Sequence, residues 1–240
     1  DVPAVAGGWP AGVLLALFDI DGTLLLKASR EHLAAMHAAL RDVYGLTDPE
    51  AMPVEVAGRT DLEIARDVAL LAGVPGVVFE DRLDDLQVAV AEHHARLVPG
   101  DISERVAPGV PELLEALAAR EGVLLSLVTG NLEPVARMKL CAAGLGGWFA
   151  RGQGGFGSDR EDRAELPAVA RARAGVRGAP HPRADTIVIG DTPRDIACAR
   201  ADGVRCVAVA GGPYASAELA AADAVASDAR SLLGAIDSLL

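Results

Sequence analysis

Positive charge is scarce in this chain of 240 residues. Lysine and arginine together number 22, against 34 aspartates and glutamates, which gives a formal net charge of −12 at pH 7. Nucleic acids and anionic membrane surfaces bind proteins through basic faces, so this charge argues against both as partners. A small anionic substrate is compatible with it, because a local cluster of cations can outweigh the overall charge.

Cysteines, aromatic residues and long apolar segments are also few. The three cysteines are odd in number and form no CxxC pair, which predicts a reducing compartment and no disulfide framework. No apolar run is long enough to span a membrane, and the first residues lack the basic and apolar regions of a signal peptide. We therefore expect a cytoplasmic protein. Aromatic residues make up only 3%, but apolar residues reach 51%, so alanine, leucine and valine can form a full core.

The apolar residues fall into short runs that alternate with helical patterns. Four runs that are apolar throughout are predicted to be parallel strands covered on both faces: 13–18, 123–128, 186–190 and 204–210. Helices are predicted at 109–120, 133–143, 164–174, 194–202 and 229–239. The alternation of strand and helix predicts an α/β fold with a doubly wound parallel sheet.

Residues 29–98 interrupt this alternation. They contain three amphipathic helical patterns, at 29–45, 60–73 and 79–98, and no strand pattern. Thr60 followed by Glu63 forms a capping box at the start of the second pattern. We therefore predict an α/β core domain made of residues 1–28 and 99–240, with an inserted α-helical cap of residues 29–98.

Polar motifs follow three of the predicted strands. DIDGT at 19–23 follows the first strand, TGN at 129–131 follows the second, and DTPRD at 191–195 follows the strand at 186–190. The carboxyl ends of parallel strands meet at one edge of the sheet, where ligands bind. The motifs bring four carboxylates together, which requires a cation in the same place. Oxygen ligands select a hard divalent ion, and Mg²⁺ suits a site that also holds a phosphate.

These three motifs, in this order and with the helical cap after the first, resemble the haloacid dehalogenase-like superfamily of phosphohydrolases. The resemblance covers the whole chain and is greatest to cap-bearing members of the phosphoglycolate phosphatase and β-phosphoglucomutase type. It implies a Mg²⁺-dependent phosphatase, monomeric or homodimeric, that hydrolyses a small phosphomonoester such as phosphoglycolate or a sugar phosphate.

The resemblance also implies a role for each motif residue. Asp19 would be the nucleophile that forms an aspartyl-phosphate, and Asp21 would act as general acid and then as general base. Thr129, with Gly130 and Asn131, would bind the phosphoryl oxygens. The implied metal ligands are Asp19, Asp21 through its backbone carbonyl, and Asp191, with Asp195 in support.

One catalytic cation departs from the family's usual pattern, in which a lysine neutralises the nucleophile and the phosphate. We assign this place to Arg163, which opens the predicted helix before the strand at 186–190, in preference to Arg160 and to the two lysines, Lys27 and Lys139. In the cap, the loop AGRTD at 57–61 is expected to contact the other end of the substrate through Arg59 and Thr60.

Other functions fit the sequence less well. A phosphosugar mutase of the same fold is the alternative enzyme, and a non-catalytic binding protein that retains the fold is the alternative of another class. Asp21 argues against a dehalogenase, because the departure of a halide needs no proton. GQGGFG at 152–157 matches the spacing of a dinucleotide-binding loop, but no long apolar strand precedes it.

Overall fold

The computed structural model describes residues 12–176 and 178–239. Six strands form one parallel sheet in the order β3-β2-β1-β4-β5-β6. The predicted fold class, a doubly wound parallel sheet, is confirmed. The strands are β1 Leu14–Phe18, β2 Val123–Thr129, β3 Gly155–Phe156, β4 Thr186–Gly190, β5 Arg205–Val209 and β6 Ala224–Ala226.

Nine helices accompany the sheet in the described part of the chain, and none of them is long and apolar enough to cross a membrane. They are α1 Arg30–Tyr44, α2 Asp61–Leu71, α3 Gly76–Asp81, α4 Leu83–Leu97, α5 Val110–Ala118, α6 Glu133–Ala142, α7 Leu166–Ala174, α8 Pro193–Asp202 and α9 Leu232–Asp237. A single 3₁₀ turn at Arg163–Glu165 leads into α7.

The two faces of the sheet are buried by different helices. Along β1, the side chains of Leu14, Ala16 and Phe18 belong to one apolar cluster, together with residues of α5, α6 and α9. Leu15 and Leu17 belong to a second cluster on the other face, together with residues of α7 and α8. Because successive side chains of a strand point to opposite faces, a strand covered on both sides must be apolar at every position.

The sequence did not predict two strands and one helix boundary. β3 and β6 have only two and three residues, and β3 lies inside the glycine-rich segment at 152–157. The pattern at 79–98 predicted one helix, but the structure has two, α3 and α4. They are separated at Arg82, whose backbone (φ −118°, ψ 19°) is not helical. Amphipathic spacing alone does not detect such a local break.

Helices α1 to α4 share an apolar core of their own. Met36 and Leu40 of α1 pack there with Leu62 and Val68 of α2. Leu132 and Val135, at the start of α6, belong to the same cluster, so these four helices, which lie in the predicted cap (residues 29–98), are anchored on the segment that follows β2. This attachment brings residues of the predicted cap close to the carboxyl end of the sheet.

Candidate active site

The ends of β1 and β4 carry buried carboxylates that lie next to each other. Asp19 follows β1, and its backbone amide donates to the carbonyl of Ile189 in β4 at 2.8 Å. Asp191 follows β4, and Asp195 lies in the first turn of α8. Carboxylate oxygens of Asp19, Asp191 and Asp195 all lie within 4.8 Å of one another. The structure therefore places these three predicted site residues in one cluster.

Asp195 is held in this cluster by the start of α8. Thr192 is the N-cap residue, and it forms a reciprocal capping box with Asp195. The Oδ2 atom of Asp195 accepts from the Thr192 amide at 3.0 Å and from its hydroxyl at 2.7 Å. Its Oδ1 atom accepts from Arg163 at 2.5 Å. Both carboxylate oxygens of Asp195 thus have donors from the chain itself, which fits a supporting role.

Arg163 is the cation that faces the buried carboxylates. Its Nη2 atom lies 3.2 Å from Asp19 and 2.5 Å from Asp195, and its side chain is buried. Arg160, the alternative in the sequence, is exposed and pairs with Glu165 at 3.0 Å. The short 3₁₀ turn at Arg163–Glu165 directs the side chain of Arg163 toward the buried carboxylates.

The cluster carries more negative charge than one arginine can neutralise. Burial raises the pKa of Asp19 to about 7, against the opposing effect of Arg163. Burial, together with the charges of Asp19 and Asp195, raises the pKa of Asp191 to about 8. Three carboxylates face a single guanidinium, so the site has the excess charge and the oxygen donors that suit a divalent cation such as Mg²⁺.

Two glycines leave the space around Asp191 free. A Cβ atom on Gly22 would lie 2.1 Å from Oδ2 of Asp191, and one on Gly212 would lie 1.9 Å from it. Gly22 also has a φ of +91°, which a residue with a side chain rarely adopts. Any side chain at these positions would collide with a carboxylate of the cluster.

A second polar cluster surrounds the side chain of Asp21. The ammonium group of Lys139 lies 2.9 and 2.7 Å from the two carboxylate oxygens of Asp21. Nδ2 of Asn131 donates to Asp21 at 2.9 Å and to the Thr129 hydroxyl at 3.1 Å, while Oδ1 of Asn131 accepts from Lys139 at 2.8 Å. Thr129, Asn131 and Asp21 are therefore brought together as predicted.

The sequence analysis did not identify Lys139 as a site residue. A signal was present, because Lys139 lies three and four positions after Ala136 and Val135, on the buried face of α6. A lysine on the buried face of a helix requires an anionic partner. Its partner Asp21 lies 118 positions away and could not be chosen from spacing.

Two residues of the cap extend this second cluster. Nδ1 of His32 lies 3.1 Å from Lys139, and Nε2 of His32 lies 2.9 Å from a carboxylate oxygen of Asp61. An ammonium group can only donate, so Nδ1 accepts and Nε2 carries the hydrogen that it donates to Asp61. Asp61 also accepts from the backbone amide of Leu132 at 2.7 Å. The cap is therefore joined to the core directly beside the candidate active site.

The cap loop AGRTD packs on the motif that follows β2. A Cβ atom on Gly130 would lie 2.1 Å from the carbonyl oxygen of Arg59, so only glycine permits this approach. The amide of Asp61 donates to the carbonyl of Gly130 at 2.8 Å. Gly130 thus serves the contact between cap and core in addition to its place beside Thr129.

The side chains of Arg59 and Thr60 have other partners in this structure. Arg59 lines the cavity, but its guanidinium group lies 2.8 Å from Glu63 and 2.7 Å from Asp67. The Thr60 hydroxyl accepts from the Glu63 amide, as the predicted capping pair requires, and donates to the carbonyl of Glu161 at 2.5 Å. Their contact with substrate stays a prediction, which these bonds do not favour.

A cavity of about 440 Å³ opens above the two polar clusters. Asp19, Asp21, Asp191 and Arg163 lie at its base, and the apolar side chains of Leu33 and Met36 from α1 form part of its wall. Its size is in the range of small-molecule sites. The rest of the lining includes Leu26, Lys27, Ser29, His32, Val56 and Pro213.

Comparison with known proteins identifies the family of this chain. The model of the haloacid dehalogenase-like hydrolase family matches residues 16–200. The phosphoglycolate phosphatase of Rhodospirillum rubrum is 31% identical over 199 residues, which cover 82% of this chain and 79% of that protein. The protein is therefore a phosphatase-type hydrolase, and the predicted class of enzyme is confirmed. The chain belongs to the haloacid dehalogenase-like hydrolase family.

Solved structures show the same fold at lower identity. CbbY from Rhodobacter sphaeroides, solved with phosphate, has a TM-score of 0.64 at 19% identity and is covered over 99% of its length by 94% of this chain. The beta-phosphoglucomutase of Clostridium difficile has a TM-score of 0.66 at 13% identity, with 95% of this chain covering 96% of it. At these identities the likenesses show the fold alone.

Proposed function

We propose that this protein is a Mg²⁺-dependent phosphatase that hydrolyses a small phosphomonoester through an aspartyl-phosphate on Asp19. The observation that carries the proposal is the buried group of Asp19, Asp191 and Asp195, with oxygens within 4.8 Å of one another and Arg163 beside them. A phosphate monoester and its attacking carboxylate are both anionic, so their reaction requires concentrated positive charge at such a place.

The metal would be held by side-chain oxygens of Asp19 and Asp191 and by the backbone carbonyl of Asp21. Asp195 would support it indirectly, because its own oxygens accept from Thr192 and Arg163. When bound, the ion would supply charge neutralisation for the phosphate and the nucleophile. The spaces left by Gly22 and Gly212 around Asp191 fit this role.

The residues of the chain account for both halves of the reaction. A carboxylate oxygen of Asp19 attacks phosphorus, the bond to the ester oxygen breaks, and Asp21 gives a proton to the leaving oxygen. A water molecule then attacks the aspartyl-phosphate, gives its proton to Asp21, and releases inorganic phosphate and free Asp19. Arg163 and the Thr129 hydroxyl, with the neighbouring amides, would bind the phosphoryl oxygens.

Phosphoglycolate or a sugar phosphate is the proposed substrate. The similarity to the Rhodospirillum rubrum phosphoglycolate phosphatase supports the first, and the cavity of about 440 Å³ is large enough for either. Residues 29–98 would form the cap domain that closes over this substrate and excludes water. A cytoplasmic location and a monomeric or homodimeric state remain predictions of the sequence.

The test is the hydrolysis of p-nitrophenyl phosphate and of phosphoglycolate by the wild type and by Asp19→Asn, with and without Mg²⁺. We expect Mg²⁺-dependent release of phosphate that is lost in the variant. Equal activity of the two proteins would exclude Asp19 as the nucleophile. Incubation with a sugar monophosphate separates the alternatives, because a phosphatase releases inorganic phosphate and a mutase yields an isomeric sugar phosphate.

A further inference from the structure

Lys139 is a buried cation that the proposed chemistry leaves without a role. Arg163 serves the cluster around Asp19, whereas Lys139 contacts only Asp21 among the catalytic carboxylates. We propose that Lys139 is a positioning residue for Asp21, and that through Lys139 the orientation of the Asp21 carboxylate depends on the position of the cap. This inference rests on the proposed function, in which Asp21 transfers the proton.

The ammonium group of Lys139 is fixed by neighbours in three directions. It contacts both oxygens of Asp21, the amide oxygen of Asn131 at 2.8 Å and Nδ1 of His32 at 3.1 Å. An ammonium has three hydrogens, so these partners use its full donor capacity. A lysine side chain has many rotamers, but one held by three different residues keeps a single position.

The orientation of Asp21 follows from that position. Its carboxylate receives N–H donors from Lys139 and from Asn131, and its side chain keeps 22% of its surface exposed toward the cavity. Asn131 is itself oriented, because Lys139 donates to its amide oxygen and its amide nitrogen donates to the Thr129 hydroxyl. The hydrogen bonds from Lys139 and Asn131 thus hold the carboxylate in a fixed orientation at the cavity.

Stability alone does not explain a lysine at this place. Lys139 is 1% exposed, and the desolvation of a buried ion pair offsets much of its attraction. An apolar side chain would fill a buried position on α6 with less desolvation. The arrangement instead gives geometric control, since misplacing a reacting group by about 1 Å can cost about 10²-fold in rate.

His32 and Asp61 connect this control to the cap. His32 belongs to α1 and Asp61 to α2, and together they link Lys139 to the backbone amide of Leu132 at the start of α6. Lys139 therefore has its full set of partners only when the cap lies as it does in this structure. A displaced cap would remove the partner that holds the ammonium group opposite Asp21.

The first experiment measures kcat and KM of Lys139→Met with p-nitrophenyl phosphate. We expect kcat to fall about 10- to 100-fold, with KM changed less than about threefold. The substrate is still bound, but Asp21 is misplaced for taking the proton of the water that attacks the aspartyl-phosphate, a step that every ester requires. His32→Phe, which replaces the imidazole by an aromatic ring without nitrogens, should also lower kcat, by a smaller factor. The exposed variant Arg160→Met is the control and should match the wild type.

The decisive experiment is a double-mutant cycle with Asp21→Asn. If Lys139 acts through Asp21, Lys139→Met should reduce the residual kcat of Asp21→Asn less than about twofold, because no carboxylate remains to be positioned. p-Nitrophenyl phosphate keeps this residual rate measurable, since its leaving group needs little proton assistance. A second cycle pairs His32→Phe with Asp21→Asn. It tests whether the contact between His32 of the cap and Lys139 acts through Asp21, in a variant that retains the buried lysine.

Equal losses in the two backgrounds would overturn the inference and assign Lys139 a merely structural role. Full activity of Lys139→Met, or a loss confined to KM, would overturn it as well. The wild type and Asp19→Asn show separately whether the proposed function fails. A wild type that hydrolyses no ester would contradict the function itself, and so would an Asp19→Asn variant that hydrolyses p-nitrophenyl phosphate as fast as the wild type. Melting temperatures of all variants establish that each is folded at the assay temperature.

Discussion

Lys139 and Asp21 form an ion pair at 2.7 Å although 118 positions separate them in the chain. Asp19, two residues before Asp21, has Arg163 as its partner instead. Burial would raise the pKa of Asp21, but the ammonium group of Lys139 lowers it below its ordinary value, whereas burial raises the pKa of Asp19 to about 7. The two carboxylates therefore have different electrostatic environments in the metal-free chain.

Arg163 should be required for the chemical step. Arg163→Met removes the guanidinium that lies between Asp19 and Asp195, and we expect kcat to fall about 10²- to 10³-fold with p-nitrophenyl phosphate. Arg163→Lys should retain part of the activity, because it keeps the charge but loses the planar fork. Arg160→Met, an exposed arginine three positions earlier, should change kcat less than twofold.

The converse result would identify the other arginine as the catalytic cation. If Arg160→Met lost activity while Arg163→Met kept it, the cluster described here would not be the reacting site. Breaking a buried ion pair also costs about 3–5 kcal/mol of stability. Denaturant unfolding of Arg163→Met must therefore be measured beside kcat, at a temperature where the variant is folded.

Gly22 should be irreplaceable because a side chain there would collide with Asp191. A comparison with Gly144 separates this collision from the effect of backbone strain. Gly22 and Gly144 both have positive φ, +91° and +73°, so alanine costs each about 1–2 kcal/mol of backbone strain. A Cβ on Gly22 would meet Asp191 at 2.1 Å, whereas Gly144 has no atom within 4 Å of such a Cβ. We expect Gly22→Ala to abolish Mg²⁺-dependent activity and Gly144→Ala to lose only stability.

Circular dichroism melts and phosphate release measure the two effects separately. Normal activity of Gly22→Ala would show that Asp191 can move without harm to the site. Equal loss of activity in both variants would show that backbone strain, and not the contact with Asp191, is responsible.

The main features of the fold and the first carboxylate cluster could be predicted because they depend on local patterns. Apolar runs predicted four of the six strands, and the geometry of a parallel sheet brings the residues after β1, β2 and β4 together. The choice of Arg163, at the start of the helix before β4, came from the family resemblance and not from a local pattern. β3 and β6 are too short to produce an apolar run.

The second cluster depends on tertiary contacts that no local pattern specifies. Lys139, His32 and Asp61 come from three different helices and meet only when the cap packs on the start of α6. The pairing of Arg59 with Glu63 was equally inaccessible, because Arg59 precedes Thr60, the N-cap residue of α2, and helical spacing does not apply to it.

Removal of metal should make the stability of this protein depend on pH in a specific direction. Asp19 and Asp191 have pKa values of about 7 and about 8 in the folded chain, against an ordinary value of 3.8. Between these values the folded protein binds protons that the unfolded chain does not. The free energy of unfolding therefore increases as the pH falls through 8 and 7, and decreases as the pH rises through the same range.

Urea unfolding in EDTA at pH 6, 7, 8 and 9 measures this dependence. We expect the metal-free protein to be most stable at pH 6, and Mg²⁺ to restore stability at pH 9, where both carboxylates are ionised and can bind it. Asp191→Asn should weaken the pH dependence and abolish the effect of Mg²⁺, whereas Asp84→Asn, on an exposed turn of α4, should do neither. Greater stability at pH 9 than at pH 6 without metal would mean that the buried carboxylates are already neutralised by the chain itself, and the charge argument for a divalent ion would fail.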